Sequence, residues 1–87
     1  MAKVRKYYIS ISGTARRLLR KYYPLFYSVY GKVLEKMYPV KARNGEEAKK
    51  LFKEQYPVVS IFYEIVAEKL EIPFQKVLRA YPAYPAF

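Results

Sequence analysis

The segment Thr14-Ala-Arg-Arg-Leu-Leu-Arg-Lys-Tyr-Tyr-Pro-Leu-Phe-Tyr-Ser-Val-Tyr-Gly-Lys-Val-Leu-Glu-Lys-Met37 is followed by a second version of itself. Ala-Arg-Arg-Leu at 15–18 returns as Ala-Lys-Lys-Leu at 48–51, and Tyr-Pro at 23–24 returns at 56–57. Both copies place a basic segment before the Tyr-Pro pair and an apolar run after it. The chain is therefore predicted to contain one helical unit twice, with a period of 33 residues.

Apolar residues recur at helical spacing through both copies. We predict helix one over 14–38 and helix two over 46–71, each kinked where proline removes a backbone donor, at Pro24 and at Pro57. A short connection makes the two helices antiparallel neighbours. The facing stripes are expected to be Leu18, Leu25, Val29 and Val33 against Leu51, Val58, Phe62 and Val66.

The remaining segments flank these helices. Residues 1–13 are predicted to be a basic extended arm, because Ile-Ser-Ile-Ser alternates with period two. Residues 39–45 contain proline and Asn-Gly and are predicted to be a turn, and 72–80 a short helix after Pro73. Residues 81–87 form a Pro/Tyr-rich extended tail. The fold class expected is all-α: a kinked antiparallel helical hairpin in a single domain.

The composition limits the chemistry. The 87 residues include no Cys, His, Trp or Asp, so the side chains that most often supply nucleophiles, general bases and thiolate ligands are missing. We expect no enzyme, no catalytic residues, no metal, no cofactor and no small-molecule substrate. More than half of the residues are apolar, which is high for so short a chain and suggests burial against further copies.

Positive charge is concentrated near the start. The net charge is +10, and no acidic residue precedes Glu35. Such a field favours the phosphate backbone of a nucleic acid. The candidate nucleic-acid-binding residues are Lys3, Arg5, Lys6, Arg16, Arg17, Arg20 and Lys21. The competing interpretation is that the arginines pair with Glu64, Glu68 and Glu71, although three acids cannot neutralise seven bases.

Two further features leave alternatives open. A second basic group lies near the predicted turn and ranks below the first as a phosphate contact: Lys36, Lys41, Arg43, Lys49, Lys50 and Lys53. Tyrosines at helical spacing favour packing, mainly between subunits, over base stacking. The charge-free runs Tyr22–Gly31 and Gln55–Tyr63 are shorter than the ~20 residues of a membrane span, so no transmembrane segment is expected.

The layout of a basic start, an apolar helical hairpin and an apolar tail resembles the small coat proteins of rod-shaped and filamentous viruses of hyperthermophilic archaea, above all the bacilliform clavavirus type. The resemblance implies many copies stacked helically around double-stranded DNA, and a place in the virion. One alternative is a cellular nucleoid or chromatin protein that binds DNA as a small oligomer. The other is a basic amphipathic protein that binds membrane surfaces.

Overall fold

The computed structural model describes residues 3–83, which form three strands and five helices. In chain order they are β1 (Arg5–Ile11), α1 (Gly13–Tyr22), α2 (Pro24–Glu35), β2 (Tyr38–Ala42), α3 (Gly45–Gln55), α4 (Pro57–Leu70), α5 (Phe74–Val77) and β3 (Leu78–Pro82). A strand and two helices are thus followed by a second strand and two helices, and the last strand returns to the first.

The strands form one antiparallel sheet in the order β2-β1-β3, with the N-terminal strand at its centre. Tyr7 lies opposite Val40 on one side and opposite Pro82 on the other. Pro39 and Pro82 are tolerated because both lie on edge strands, where a missing backbone N–H leaves no central hydrogen bond unmade. The chain therefore closes on itself through its first and last segments.

The expected all-α class is wrong, because the described chain is mixed α/β. The segment predicted as an arm (1–13) contains the central strand, the predicted turn (39–45) contains most of β2, and the predicted tail (81–87) begins within β3. Residues 84–87 of that tail lie outside the described residues. Each strand is short and two contain proline, so the local sequence indicates strands only weakly. A strand also forms its hydrogen bonds with another strand, and the partners of β1 lie far away in sequence.

Each predicted kinked helix is two separate helices. Pro24 and Pro57 occupy the first positions of α2 and α4, where the missing N–H is no loss. The preceding residues share one non-helical conformation: Tyr23 has φ −134° and ψ 58°, and Tyr56 has φ −126° and ψ 63°. The 33-residue repeat of the sequence thus returns as the same break in both helix pairs.

The core lies between α3, the other helices and one face of the sheet. Its largest fully buried side chains are Tyr63, Phe52, Ile9, Leu19, Leu34, Val66 and Val77. Ala15 and Leu19 of α1 are buried like their repeat equivalents Ala48 and Phe52 of α3. The equivalence fails in the second helices, since Tyr63 is fully buried and its counterpart Tyr30 is 36% exposed.

The predicted inner stripe of the hairpin is wrong in part. Val66 is fully buried and Leu51 and Phe62 pack against the core, as predicted. Leu25, Val29 and Val58 are 82%, 70% and 68% exposed. In α2 the buried residues are instead Gly31 and Leu34. Because α2 is apolar nearly all round, its periodicity did not decide which face packs inward, and the sheet made that choice.

Helix α1 also begins earlier than predicted, because its N-cap is Ser12. The Ser12 hydroxyl accepts a hydrogen bond from the Ala15 N–H over 3.2 Å and donates one to the Lys76 carbonyl over 2.8 Å. Asn44 caps α3 in the same way, through the Glu47 N–H at 2.9 Å. Ser12 directly follows β1 and Asn44 lies two residues after the end of β2, so both caps fix the turn from sheet to helix.

Candidate nucleic-acid interface

The two faces of the sheet differ in character. Side chains alternate along a strand, and directly paired residues of an antiparallel sheet share a face. One face carries Ile9, Tyr38 and Val40 and packs against α3, where the Tyr38 and Phe52 rings lie 5.7 Å apart. The other face, which we call the open face, is formed by Lys6, Tyr8, Pro39, Lys41, Arg79 and Tyr81.

The open face is accessible along most of its length. Lys6, Pro39, Lys41 and Arg79 are exposed, and Tyr8 and Tyr81 are half-buried. Only its end near α1 is closed, where Ser10 is 5% exposed and its hydroxyl lies 3.3 Å and 3.2 Å from the carbonyl oxygens of Leu34 and Glu35. The six residues include three cations and no acid, so this surface is positively charged.

Two lysines of the open face lie directly opposite each other. Lys6 of β1 pairs with Lys41 of β2 in the antiparallel register, on the same face of the sheet. Like charges in directly opposed positions destabilise a sheet, typically by a few tenths of a kcal/mol or more. An anion bound between them would remove that repulsion, so the pair indicates a surface suited to phosphate.

The aromatic pair of the open face is arranged in the same way. Tyr8 of the central strand lies directly opposite Tyr81 of β3. The Lys6 ammonium lies 5.2 Å from the centre of the Tyr8 ring, and the Arg79 guanidinium carbon lies 5.0 Å from that of Tyr81. Neither ring belongs to the hydrophobic residues that pack against the core, although the neighbouring Tyr7 does. Both phenols are therefore held by the sheet on its solvent side.

The seven predicted site residues are all exposed, but they do not form one surface. Arg5 and Lys6 are consecutive in β1 and so project to opposite faces of the sheet. Lys3 precedes the strand, and Arg16, Arg17, Arg20 and Lys21 lie on α1. Only Lys6 of the seven belongs to the open face.

Helix α1 forms a second cationic surface, which we call the α1 strip and which consists of Arg16, Arg17, Arg20 and Lys21. Within residues 3–83, the ion pairs join Arg43 to Glu47 at 3.0 Å and Lys53 to Glu64 at 2.9 Å. The competing interpretation, in which the α1 arginines pair with Glu64, Glu68 and Glu71, thus has no counterpart in that part of the chain. None of the four α1-strip cations takes part in an ion pair within the described residues.

A cavity of about 410 Å³ lies beside the α1 strip and is lined by Arg20, Pro24, Tyr27, Ser28 and Glu35. The Arg20 guanidinium lies 5.9 Å from the centre of the Tyr27 ring. The Glu35 carbonyl accepts from Ser10, which lies opposite Arg79 in the sheet. Arg20 and Glu35 thus line one cavity, and the Glu35 backbone contacts the strand residue that is paired with Arg79.

The second predicted basic group is divided by the fold. Lys41 belongs to the open face, whereas Arg43 and Lys53 are engaged in the two ion pairs. The Lys49 ammonium donates to the Gln75 carbonyl over 2.9 Å. Lys50 is exposed on α3, the helix that packs against the other face of the sheet. Lys36 is exposed at the C-cap of α2. Lys41 is the member of this group that lies on a strand of the open face.

Several tyrosines serve the core, in agreement with a packing role but within one chain. The hydroxyls of Tyr23, Tyr38 and Tyr56 donate to the carbonyls of Lys69, Val33 and Pro39 over 3.1, 2.8 and 2.9 Å. Burial raises the pKa of Tyr63 well above its usual range, with a smaller contribution from Tyr38. Burial likewise raises the pKa of Tyr38, which stays a neutral donor at ordinary pH.

Residues 3–83 contain neither a metal-binding cluster nor a membrane-spanning helix. Over that range no three side chains among His, Cys, Asp and Glu lie together in a group that could hold a metal ion. No helix in the same range combines the length and apolar character needed to cross a bilayer.

Sequence reasoning found Lys6 of the open face and ranked Lys41 second, but it missed Tyr8, Pro39, Arg79 and Tyr81 as site residues. The signal for Tyr8 was present, because Lys6, Tyr8 and Ser10 alternate with Tyr7 and Ile9. Arg79 and Tyr81 show the same spacing of two. Their meeting with Tyr8 could not be foreseen, because it depends on pairing between residues 67 to 75 positions apart.

Comparison with known proteins finds no relative of this chain. No protein-family model, no curated protein and no solved structure matches the chain significantly. The function is therefore argued from the site itself.

Proposed function

We propose that this protein binds nucleic acid through its phosphate backbone, without reading base sequence, and that the open face is the principal contact surface. The observation that carries the proposal is the opposed Lys6–Lys41 pair on an acid-free face that also holds Arg79. The α1 strip would supply four further cations.

The charge count predicts how binding depends on salt. Each phosphate neutralised by a protein cation contributes about −0.9 to the slope of log K against log salt for duplex DNA, and about −0.7 for a single strand. The three cations of the open face alone correspond to a slope of roughly −2 to −3. Participation of the α1 strip would make the slope steeper, to roughly −5 to −6.

The test is a matched pair of double charge reversals. Lys6→Glu with Lys41→Glu removes the opposed lysines, whereas Lys32→Glu with Lys50→Glu changes the net charge equally, from +10 to +6, on exposed positions of α2 and α3. Binding is measured by anisotropy of labelled oligonucleotides across a salt series. We expect the first variant to lose about 1.5–2 of the slope and the second to keep it.

Equal losses in the two variants would mean that net charge alone drives binding, and the assignment to the open face would be withdrawn. A wild-type protein that binds neither single strands nor duplexes at low salt would overturn the proposed function. Circular dichroism of each variant shows whether the fold is kept.

We also propose that copies assemble through an apolar surface on α2 and α4, which supports a structural role like that of a coat protein. Phe26, Tyr30 and Phe62 form a contact between these helices, with ring centres 4.8 Å and 5.4 Å apart. The exposed apolar side chains flanking it are Leu25, Val29, Val58 and Ile61. A second copy is the occupant we favour, because Leu25 and Val58 are repeat equivalents and present similar surfaces on both helices.

Leu25→Glu with Val58→Glu should disperse the assemblies seen by sedimentation and electron microscopy. Val4→Glu is the control, because Val4 is 63% exposed but lies before β1, outside this surface. Filaments on nucleic acid would support the coat role and the virion as the site of action. A small discrete oligomer would favour the alternative of a nucleoid protein.

A further inference from the structure

The aromatic pair of the open face carries an inference that rests on the proposed function and specifies its ligand. We propose that the open face binds single-stranded nucleic acid, with bases stacked on Tyr8 and Tyr81 and the adjoining phosphates held by Lys6, Lys41 and Arg79. This goes against the double-stranded DNA that the resemblance to viral coat proteins implies.

The register of the sheet places the two rings on neighbouring strands. Directly opposed residues of an antiparallel pair have Cβ atoms about 4.5–5.5 Å apart, and Tyr8 and Tyr81 are such a pair on the solvent side of the sheet. Sheets that bind single-stranded RNA present two or three aromatic rings in this manner. A short stretch of unpaired bases can therefore contact both phenols at once.

The cations accompany the rings rather than lying apart from them. The Lys6 ammonium and the Arg79 guanidinium lie 5.2 and 5.0 Å from the ring centres of the tyrosines two positions along their own strands. Such spacing brings a positive charge and an aromatic surface within one nucleotide of each other, which matches the alternation of phosphate and base in a single strand. A duplex presents phosphates but keeps its bases stacked on one another.

The exposed ring of Tyr22, on α1, lacks this arrangement. The Lys21 ammonium lies 5.3 Å from the centre of the Tyr22 ring, and Tyr22 is 60% exposed. This pair on α1 thus has a cation beside an exposed ring, like each pair of the open face. Tyr22 has no second tyrosine opposite it as Tyr8 has, because it lies on a helix. It therefore serves as a matched control for stacking on the open face.

The experiment compares four ligands of equal length: oligo-dT, oligo-U, an abasic DNA strand and a DNA duplex. The abasic strand keeps the phosphates and removes the bases. We expect wild-type protein to bind oligo-dT or oligo-U at least ~10-fold more tightly than the abasic strand. Tyr8→Leu and Tyr81→Leu should remove most of that preference, Tyr8→Phe should keep it, and Tyr22→Leu should leave it unchanged.

The two single strands show whether DNA or RNA is preferred, since their bases differ only in the methyl group of thymine. Equal binding of the abasic and normal strands, or a preference for duplex that survives Tyr8→Leu and Tyr81→Leu, would overturn the stacking proposal. Salt-dependent binding through Lys6 and Lys41 would still stand in that case. Loss of all binding in the wild-type protein would instead reject the proposed function.

Discussion

The phenol of Tyr63 donates a hydrogen bond to the carbonyl oxygen of Leu34 over 2.5 Å, and so ties α4 to the last turn of α2 across 29 residues of sequence. The ring is fully buried and meets Phe52 edge-on, with centres 5.5 Å apart. The same carbonyl oxygen of Leu34 also accepts a hydrogen bond from the Ser10 hydroxyl over 3.3 Å. One carbonyl thus joins the central strand and both second helices of the repeat.

Stability should fall in alkaline solution through this phenol. The pKa of Tyr63 is raised above 10.0 in the folded protein, so the folded chain holds a proton that the unfolded chain loses above about pH 10. Its contribution is fully present below pH 10 and is lost above it, by at most about 1.4 kcal/mol per pH unit. Tyr63→Phe should lower stability by about 1 kcal/mol at pH 7 and flatten the decline, measured by urea unfolding from pH 8 to 11.

Tyr22→Phe is the control for that series, because its ring is 60% exposed. Part of the decline should persist in Tyr63→Phe, since Tyr38 also has a raised pKa. A pH profile identical to that of the wild-type protein would contradict the assignment to Tyr63.

The hydroxyls of Ser12 and Thr14 should differ in their contribution to stability, because Ser12 caps α1. Ser12→Ala should lower the free energy of unfolding by about 1–2 kcal/mol, because it removes the bond from the Ala15 N–H and the bond to the Lys76 carbonyl. Thr14→Ala should change it by less than about 0.5 kcal/mol, since Thr14 is exposed inside the first turn. Chemical denaturation of the two variants compares them, and a larger effect at Thr14 would refute the cap.

Two leucines test which face of the first helix pair is buried. Leu19→Ala should destabilise the protein by about 2–5 kcal/mol, because Leu19 is fully buried and its removal leaves a cavity. Leu25→Ala should have an effect below about 0.5 kcal/mol in dilute protein, because the side chain is 82% exposed. Thermal unfolding at low concentration is the measurement. Similar losses of stability at the two positions would mean that Leu25 is buried, as the sequence predicted.

Lys41→Glu should change stability and binding in opposite directions. It replaces a repulsion across the strands with an attraction to Lys6, so we expect a gain of roughly 0.2–1 kcal/mol in the free energy of unfolding. The same change should weaken oligonucleotide binding. Urea unfolding without ligand gives the free energy of unfolding, and an anisotropy titration of the same preparation gives the affinity for the oligonucleotide. Lys50→Glu is the control, and weaker binding with no gain in stability would show that the opposed pair is not under strain.

The helices were the part of the fold that could be foreseen. The repeated Tyr-Pro pairs at 23–24 and 56–57 indicated two equivalent breaks, and both breaks are present with nearly the same backbone angles. Ile-Ser-Ile-Ser indicated an extended segment, and that segment is β1. These features depend on a few neighbouring residues, such as the donor that proline lacks, and local sequence therefore predicts them.

The candidate site could be foreseen only in part, since Lys6 was included and its partners were not recognised as one surface. By itself the sequence determined the duplicated helix pairs, the excess of positive charge and the lack of Cys, His, Trp and Asp. Only the tertiary structure decided that residues 5–11, 38–42 and 78–82 pair, and so which side of each strand faces water. The physical reason is that a strand completes its hydrogen bonds on partners distant in the chain, whereas a helix completes them within itself.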